Sequence, residues 1–240
     1  MRRTTNGVLI GGEASAPALP YPVEAVIAAL TPICTERRVA RIHAVLSRRL
    51  ASVTLVVDAL HDPHNGAAIT RSCEAFGVQT VHAIEGVEPL AVARAVTKGS
   101  EKWIDLVRHP GADACVAMLR AGGHEPIATH PDGELLPDDL AKIPRVALVL
   151  GNEHRGIAPE LRAACTRAVR VPMVGFVESL NVSVTAAILL HAATRGRPGD
   201  LDEPRKRALL ARALWLSVPQ ADALVSVHVA RAASSGAASS

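Results

Sequence analysis

Aromatic side chains are scarce: Tyr21, Phe76, Trp103, Phe176 and Trp215 make up 2% of the 240 residues. That argues against a surface that holds a single-stranded nucleic acid by stacking successive bases. Long apolar runs are missing too. Val8-Leu9-Ile10 behind Arg2-Arg3 is too short for the core of a signal peptide, so a cytoplasmic chain without membrane association is expected. The cysteines, Cys34, Cys73, Cys115 and Cys165, are widely separated and show no C-x-x-C or metal-ligand spacing with histidine, so no metal is expected. Cys73 reads as a small buried apolar residue rather than a nucleophile. No G-x-G-x-x-G turn follows the first strand with an acidic residue about 20 positions on, which sets aside a nicotinamide-dependent oxidoreductase.

Hydrophobic residues make up 49% of the chain, ample for one ordinary domain with extensions. Net charge is only +3, yet residues 1–49 hold seven arginines against three glutamates. The basic excess is therefore N-terminal. On a helix from Arg37 to Leu50, Val39, Ile42, Leu46 and Leu50 share one face while Arg37, Arg41 and Arg48 lie opposite, a basic stripe beside a docking face.

Three segments share one form, an apolar strand that ends in a polar turn before a helix. Val53–Val57 leads through Asp58, His61, Asp62, Pro63, His64 and Asn65 into a helix from Gly66 to Phe76. The unbroken run Val146–Leu150 suits a strand buried on both faces; it ends in Gly151-Asn152-Glu153-His154-Arg155-Gly156, and Pro159 opens the next helix. Arg170, Val171 and Pro172 close a third strand, Gly175 permits a bend, and Ser179 and Asn181 precede a helix beginning at Ser183-Val184-Thr185, where an amide or hydroxyl caps the free N–H groups. In open α/β sheets such turns, beyond the carboxyl ends of strands, are where ligands bind. Strands are expected at 53–57, 79–84, 103–107, 125–129, 145–150 and 168–172, alternating with helices as a mostly parallel sheet requires.

Read in order, the three segments resemble the motifs of the SpoU branch of the SPOUT RNA methyltransferases. Asn65 and Arg71 in HNGAAITRSCEAFG match the first motif. Gly151, Glu153 and Gly156 match the G-x-E-x-x-G second, and PMVGFVESLNVSV matches the third. Many members place glycine two residues after the first-motif asparagine; here Gly66 follows Asn65 directly and Ala67 takes that place, with the spacing to Arg71 intact. The pattern can be followed from Arg37 to about Arg195, including KGSEKWIDL and Ile127-Ala128-Thr129-His130. Within the branch the chain is most similar to the TrmH group, the tRNA guanosine-18 2′-O-methyltransferases, because of Gly99–Trp103 and a short N-terminal extension carrying Arg37, Arg38 and Arg41.

The resemblance implies an α/β fold with a C-terminal deep trefoil knot, S-adenosylmethionine as methyl donor, tRNA as substrate and a homodimer. It places catalytic roles at Asn65, Arg71, Glu153, Ser179 and Asn181, with Asn65 orienting Arg71 and the ribose. Cofactor contacts fall at Thr129, Gly151, Val171 and Leu180, and RNA contacts at Arg37, Arg38, Arg41 and Arg48. Arg71 is implied to meet the cofactor of the other subunit. A guanidinium stays charged near neutrality, so a bidentate grip on phosphate suits Arg71 better than the role of base. His61, His64 and His154 read as turn residues outside the catalytic set, with a minor RNA contact at His64, and Asp58 and Asp62 as turn-formers. The expected organisation is a leader and basic helical extension over 1–50, a methyltransferase domain over 51–196, and a helical extension with a disordered tail over 197–240. Two alternatives remain: the same chemistry on ribosomal RNA or another tRNA position, and a nonenzymatic RNA-binding protein of the same fold.

Overall fold

The computed structural model describes residues 8–10, 19–60, 62–84, 99–152 and 155–237. Its contacts divide into two units, residues 1–15 with 50–198, and residues 16–49 with 199–240. Residues 16–49 and 199–240, expected in separate extensions, fall together in the second of these units.

The larger unit is built on a seven-stranded, wholly parallel sheet in the order β1-β4-β3-β2-β6-β5-β7. Its strands are β1 (Val8–Ile10), β2 (Val53–Asp58), β3 (Thr80–Ile84), β4 (Asp105–His109), β5 (Glu125–Thr129), β6 (Val146–Leu150) and β7 (Arg167–Val169). Six of them fall where the apolar runs predict, within one or two residues at most ends. The exception is β1, which lies in the stretch expected to be a flexible leader and pairs with β4. At the centre, β2 and β6 are buried along their whole length, as their unbroken β-branched and leucine content requires. The one hydroxyl in β2, that of Thr54, is satisfied by donating to the Thr80 carbonyl at 2.8 Å.

Helices α3 (Pro63–Ala75) and α6 (Val182–Thr194) pack on each other. Phe76, which caps α3, meets His191 edge-on at 5.7 Å. Helices α4 (Ala112–Ala121) and α5 (Pro159–Ala164) form another packed pair. Beyond α6, the Arg197 guanidinium donates to the carbonyls of Leu140, Ile143 and Pro144, which fastens the end of that helix to the segment entering β6.

β7 has neighbours on both edges. On one side it pairs with β5, Thr129 facing Val169. On the other, the Leu135 N–H donates to the Ala168 carbonyl and the Arg170 N–H to the Leu135 carbonyl, each at 3.0 Å. Gly133 lies so close to this strand that a β-carbon there would come within 2.6 Å of the Val169 carbonyl carbon.

The second unit comprises α1 (Val23–Leu30), α2 (Glu36–Leu46), α7 (Glu203–Ser217) and α8 (Ala221–Ala237). Thr35 caps α2 and Asp202 caps α7, each accepting from the backbone N–H three residues on. Helix α1 packs on α7 and α8, and α2 packs on α7. The two ends of the unit run side by side, the Asp200 N–H donating to the Arg49 carbonyl at 3.0 Å. Two expectations are corrected here. Helix α2 stops at Leu46, so Arg48 lies beyond it, and α8 continues through Ser234–Ala237, where a disordered tail was expected.

Candidate active site

The carboxyl ends of β5, β6 and β7 and the extended segment 170–181 border a cleft of about 740 Å³. All four positions expected to contact a cofactor line it: Thr129, Gly151, Val171 and Leu180. Thr129 ends β5 and donates its hydroxyl to the Val149 carbonyl at 3.0 Å, which ties it to β6. Gly151 must be glycine, because a β-carbon there would lie 2.3 Å from the Gly156 carbonyl carbon and 2.4 Å from the Ile157 nitrogen. The close approach comes from a reciprocal pair of 2.9 Å hydrogen bonds between the backbones of Asn152 and Gly156, the latter at a φ of +69°. The spacing of the G-x-E-x-x-G motif is thereby a small antiparallel clip.

Below that clip the Asn152 amide donates to the Ala59 carbonyl, and the Ala158 N–H donates to Asp58 Oδ2 at 2.6 Å. Asp58, expected as a turn-former, is instead a buried acceptor at the end of β2 that holds the start of α5. Asp62 is the N-cap of α3, accepting from the His64 N–H at 2.8 Å. This cap starts the helix at Pro63, three residues before the expected start, so Asn65 lies in its first turn.

Asn181 joins the first and third motifs. Its amide nitrogen donates to Asn65 Oδ1 at 3.0 Å, across 116 residues of sequence. Its amide oxygen accepts from the Ser183 N–H at 2.8 Å and from the Ser183 hydroxyl at 2.6 Å, which caps α6. One side chain thus ends the extended segment, starts a helix and fixes a buried asparagine. Ser179 and Asn181 both border the cleft.

Arg71 stands apart. It is exposed on α3, about one and two-thirds turns beyond Asn65, does not line the cleft, and makes no hydrogen bond or ion pair with a described residue. The expectation that Asn65 orients Arg71 therefore finds no bond between them, since Asn65 faces Asn181. Glu153, His61 and His154 lie outside the described residues. His64 is exposed, and Cys73 is buried as expected. Arg155 and Arg162 on the cleft wall were missed by sequence reasoning. Their signal was available, Arg155 within the second motif and Arg162 in the helix that Pro159 opens just after it.

In the helical unit Arg37, Arg41 and Arg48 are exposed and make no ion pair with a described residue. Arg38 is also exposed, but its guanidinium donates to the Ser217 hydroxyl at 2.9 and 3.2 Å. On α7, Arg207 pairs with Glu24, Lys206 pairs with Glu203, and Arg212 is buried.

Residues 52–191 match the sequence model of the SpoU rRNA Methylase family. The chain belongs to that family. It is 36% identical over 179 residues to a tRNA (guanosine(18)-2′-O)-methyltransferase of Thermus thermophilus, a stretch that is 71% of this chain and 90% of that protein. Its structure resembles the crystal structure of the A. aeolicus TrmH/SpoU tRNA modifying enzyme with a TM-score of 0.68 at 27% identity, covering 77% of this chain and 98% of that one. The SpoU methyltransferase AviRb from Streptomyces viridochromogenes, solved in complex with AdoMet, aligns with a TM-score of 0.53 at 25% identity over 63% of this chain and 60% of that one. In this SpoU methylase the second and third motifs line one cleft, and the Asn181–Asn65 bond ties the asparagine of the first motif to it while Arg71 lies apart.

Proposed function

We propose that this SpoU methylase transfers the methyl group of S-adenosylmethionine to the 2′-hydroxyl of guanosine 18 in the D-loop of tRNA. The observation that carries this reading is the Asn181–Asn65 hydrogen bond at the rim of the cleft, because it fixes the first motif against the wall that would hold the cofactor. The tRNA assignment is supported by similarity that extends over most of a relative bearing that name.

The residues present fit the cofactor. A cleft of about 740 Å³ is within the usual range for such a ligand, and the backbone approach at Gly151 keeps side chains away from its floor. Bound there, S-adenosylmethionine supplies an electrophilic sulfonium methyl. The protein must then hold the ribose hydroxyl in line and assist loss of its proton. Positioning is the larger demand, worth about 7–11 kcal/mol in favourable cases. Asn65 and Asn181, each fixed by the other, give the ribose rigid amide partners, and Ser179 adds a hydroxyl. Arg71 grips the adjacent phosphate with two parallel N–H donors and stabilises charge that develops in the transition state. Arg155 and Arg162 make the cleft wall attractive to anions. Glu153, between the two glycines of the clip, completes the polar set.

The working unit is a homodimer in which Arg71 serves the cleft of the other subunit. Two features support this: Arg71 is free of its own cleft, and Val174 and Phe176, both on the segment between β7 and α6, are fully exposed. A trefoil knot is part of the same proposal, supported by the position of β7 between β5 and the Leu135 segment. Arg37, Arg38, Arg41 and Arg48 contribute phosphate contacts. No single helix among the described residues is long and apolar enough to cross a membrane. A cytoplasmic location is part of the same proposal.

Purified protein incubated with unmodified tRNA transcript and labelled S-adenosylmethionine is expected to yield 2′-O-methylguanosine at position 18, mapped by nuclease digestion and mass spectrometry. Methylation at another position, or of ribosomal RNA alone, overturns the substrate and keeps the chemistry. RNA binding with no transfer to any cellular RNA overturns the enzyme.

A further inference from the structure

Outside the cleft, the most unusual group of side chains lies where β3, β4 and α4 meet. His82 on β3 and His109 at the end of β4 are buried, and their rings face each other with Nδ1 of His82 2.8 Å from Nε2 of His109. Parallel pairing sets Ile84 beside His109 and His82 beside Val107, so the two imidazoles project from one face of the sheet. Cys115, in the first turns of α4, is buried on that face. One ligand atom from each of the three residues lies within 4.8 Å of the other two.

We propose that His82, His109 and Cys115 form a structural zinc site that fastens β3, β4 and α4 together. Two imidazole nitrogens and a thiolate are a donor set suited to zinc among the biological divalent cations, and magnesium or calcium would require oxygen ligands. A tetrahedral ion with zinc–nitrogen and zinc–sulfur bonds of about 2.0–2.3 Å sets its donors roughly 3.3–3.6 Å apart. The three donors already lie within 4.8 Å of one another, so side-chain rotation alone brings them to that spacing. A solvent molecule or a fourth side chain completes the coordination.

One further feature favours a cation here: Nδ1 of His109 is buried and meets no hydrogen-bond partner among the described residues, so a ring nitrogen is left for an ion to satisfy. Binding breaks the Cys115 S–H bond, forms a zinc–sulfur bond and releases one proton to solvent.

The test uses tag-free, full-length protein stripped of metal. Zinc titrated in competition with a chromophoric chelator is expected to bind one ion per chain. Cobalt in its place is expected to give a sulfur-to-metal charge-transfer band that Cys115→Ser abolishes and Cys165→Ser retains. Zinc at about one hundred times its dissociation constant should raise the melting midpoint of the wild type by roughly 5 °C and leave that of His109→Ala unchanged. Folded wild-type protein that takes up less than stoichiometric zinc, or whose cobalt form lacks the charge-transfer band, overturns the proposal. The wild-type spectrum decides the matter even where a variant fails to fold.

Discussion

Asn181 carries two tasks that substitution can separate. Aspartate at position 181 keeps an oxygen to cap α6 and loses the N–H that donates to Asn65, whereas alanine loses both. Asn181→Asp is expected to change stability by less than about 0.5 kcal/mol while lowering kcat/KM roughly tenfold. Asn181→Ala should add about 1 kcal/mol of destabilisation from the lost cap. Chemical denaturation and methyl-transfer rates on the same preparations read the two effects. Equal kcat/KM in Asn181→Asp and the wild type would remove Asn65 positioning from the mechanism.

Arg71 offers a second contrast. Lysine keeps the charge and loses the planar fork, so Arg71→Lys is expected to reduce turnover by about tenfold or more with an unaltered pH profile. Near-normal turnover with a shifted profile would instead point to proton transfer at this side chain. The motif asparagine and arginine were found through the resemblance to the SpoU motif. Their separation in the fold was not foreseen, because the helix was expected to begin at Gly66; the Asp62 cap places Asn65 on it, six positions from Arg71 and on a different face.

Among elements, the contact between β5 and β7 supports the cleft from its far end. Arg167 on β7 holds Glu125 on β5 by two hydrogen bonds, 2.8 and 2.9 Å long, four residues from Thr129. This bonding to Arg167 keeps the Glu125 carboxyl below the ordinary glutamate range despite partial burial, with help from the Thr166 hydroxyl. A carboxyl whose pKa is lower folded than unfolded adds stability that is fully present above the unfolded value, about 4.3. That stability is lost as pH falls through the folded value. With both side chains about a third exposed, the contribution is about 0.5–1 kcal/mol after screening. Glu125→Gln should therefore lower the melting midpoint at pH 7, and the difference from the wild type should shrink as pH falls below about 4.3 and vanish once Glu125 is protonated in the folded state. A constant difference across that range would assign the effect to packing instead of charge.

Strand positions were readable because six of the strands are apolar runs bounded by turns. β1 was missed for the opposite reason: three apolar residues inside a polar leader look like nothing until a neighbouring strand offers hydrogen bonds. Helix α8 exceeded its expected length because alanines and serines after Val229 suffice for a helix once its first turns are packed.

At the scale of the molecule, residues 16–49 and 199–240 make one helical unit whose apolar face is shared among α1, α2, α7 and α8. Neither half has a core alone. Truncation after Pro198 is expected to expose Val26, Leu30 and Ile42 and to make residues 16–49 sensitive to limited proteolysis. The body from Leu50 to Pro198 should still bind S-adenosylmethionine by calorimetry. Protease resistance of the N-terminal helices in the truncated chain would refute this division.

By itself the sequence determined six of the seven strands, most of the helices, where the three motif turns fall, and the reaction class they resemble, because periodicity, capping residues and glycine spacing are local properties. Tertiary structure decided what no local pattern contains. It joined Asn181 to Asn65, made Asp58 the acceptor for Ala158, merged the two extensions, and brought His82, His109 and Cys115 together on one face of the sheet. Each of these depends on strand order and register. A parallel sheet with crossovers brings together residues that may lie a hundred positions apart in the chain, and no spacing rule in the sequence reports that proximity.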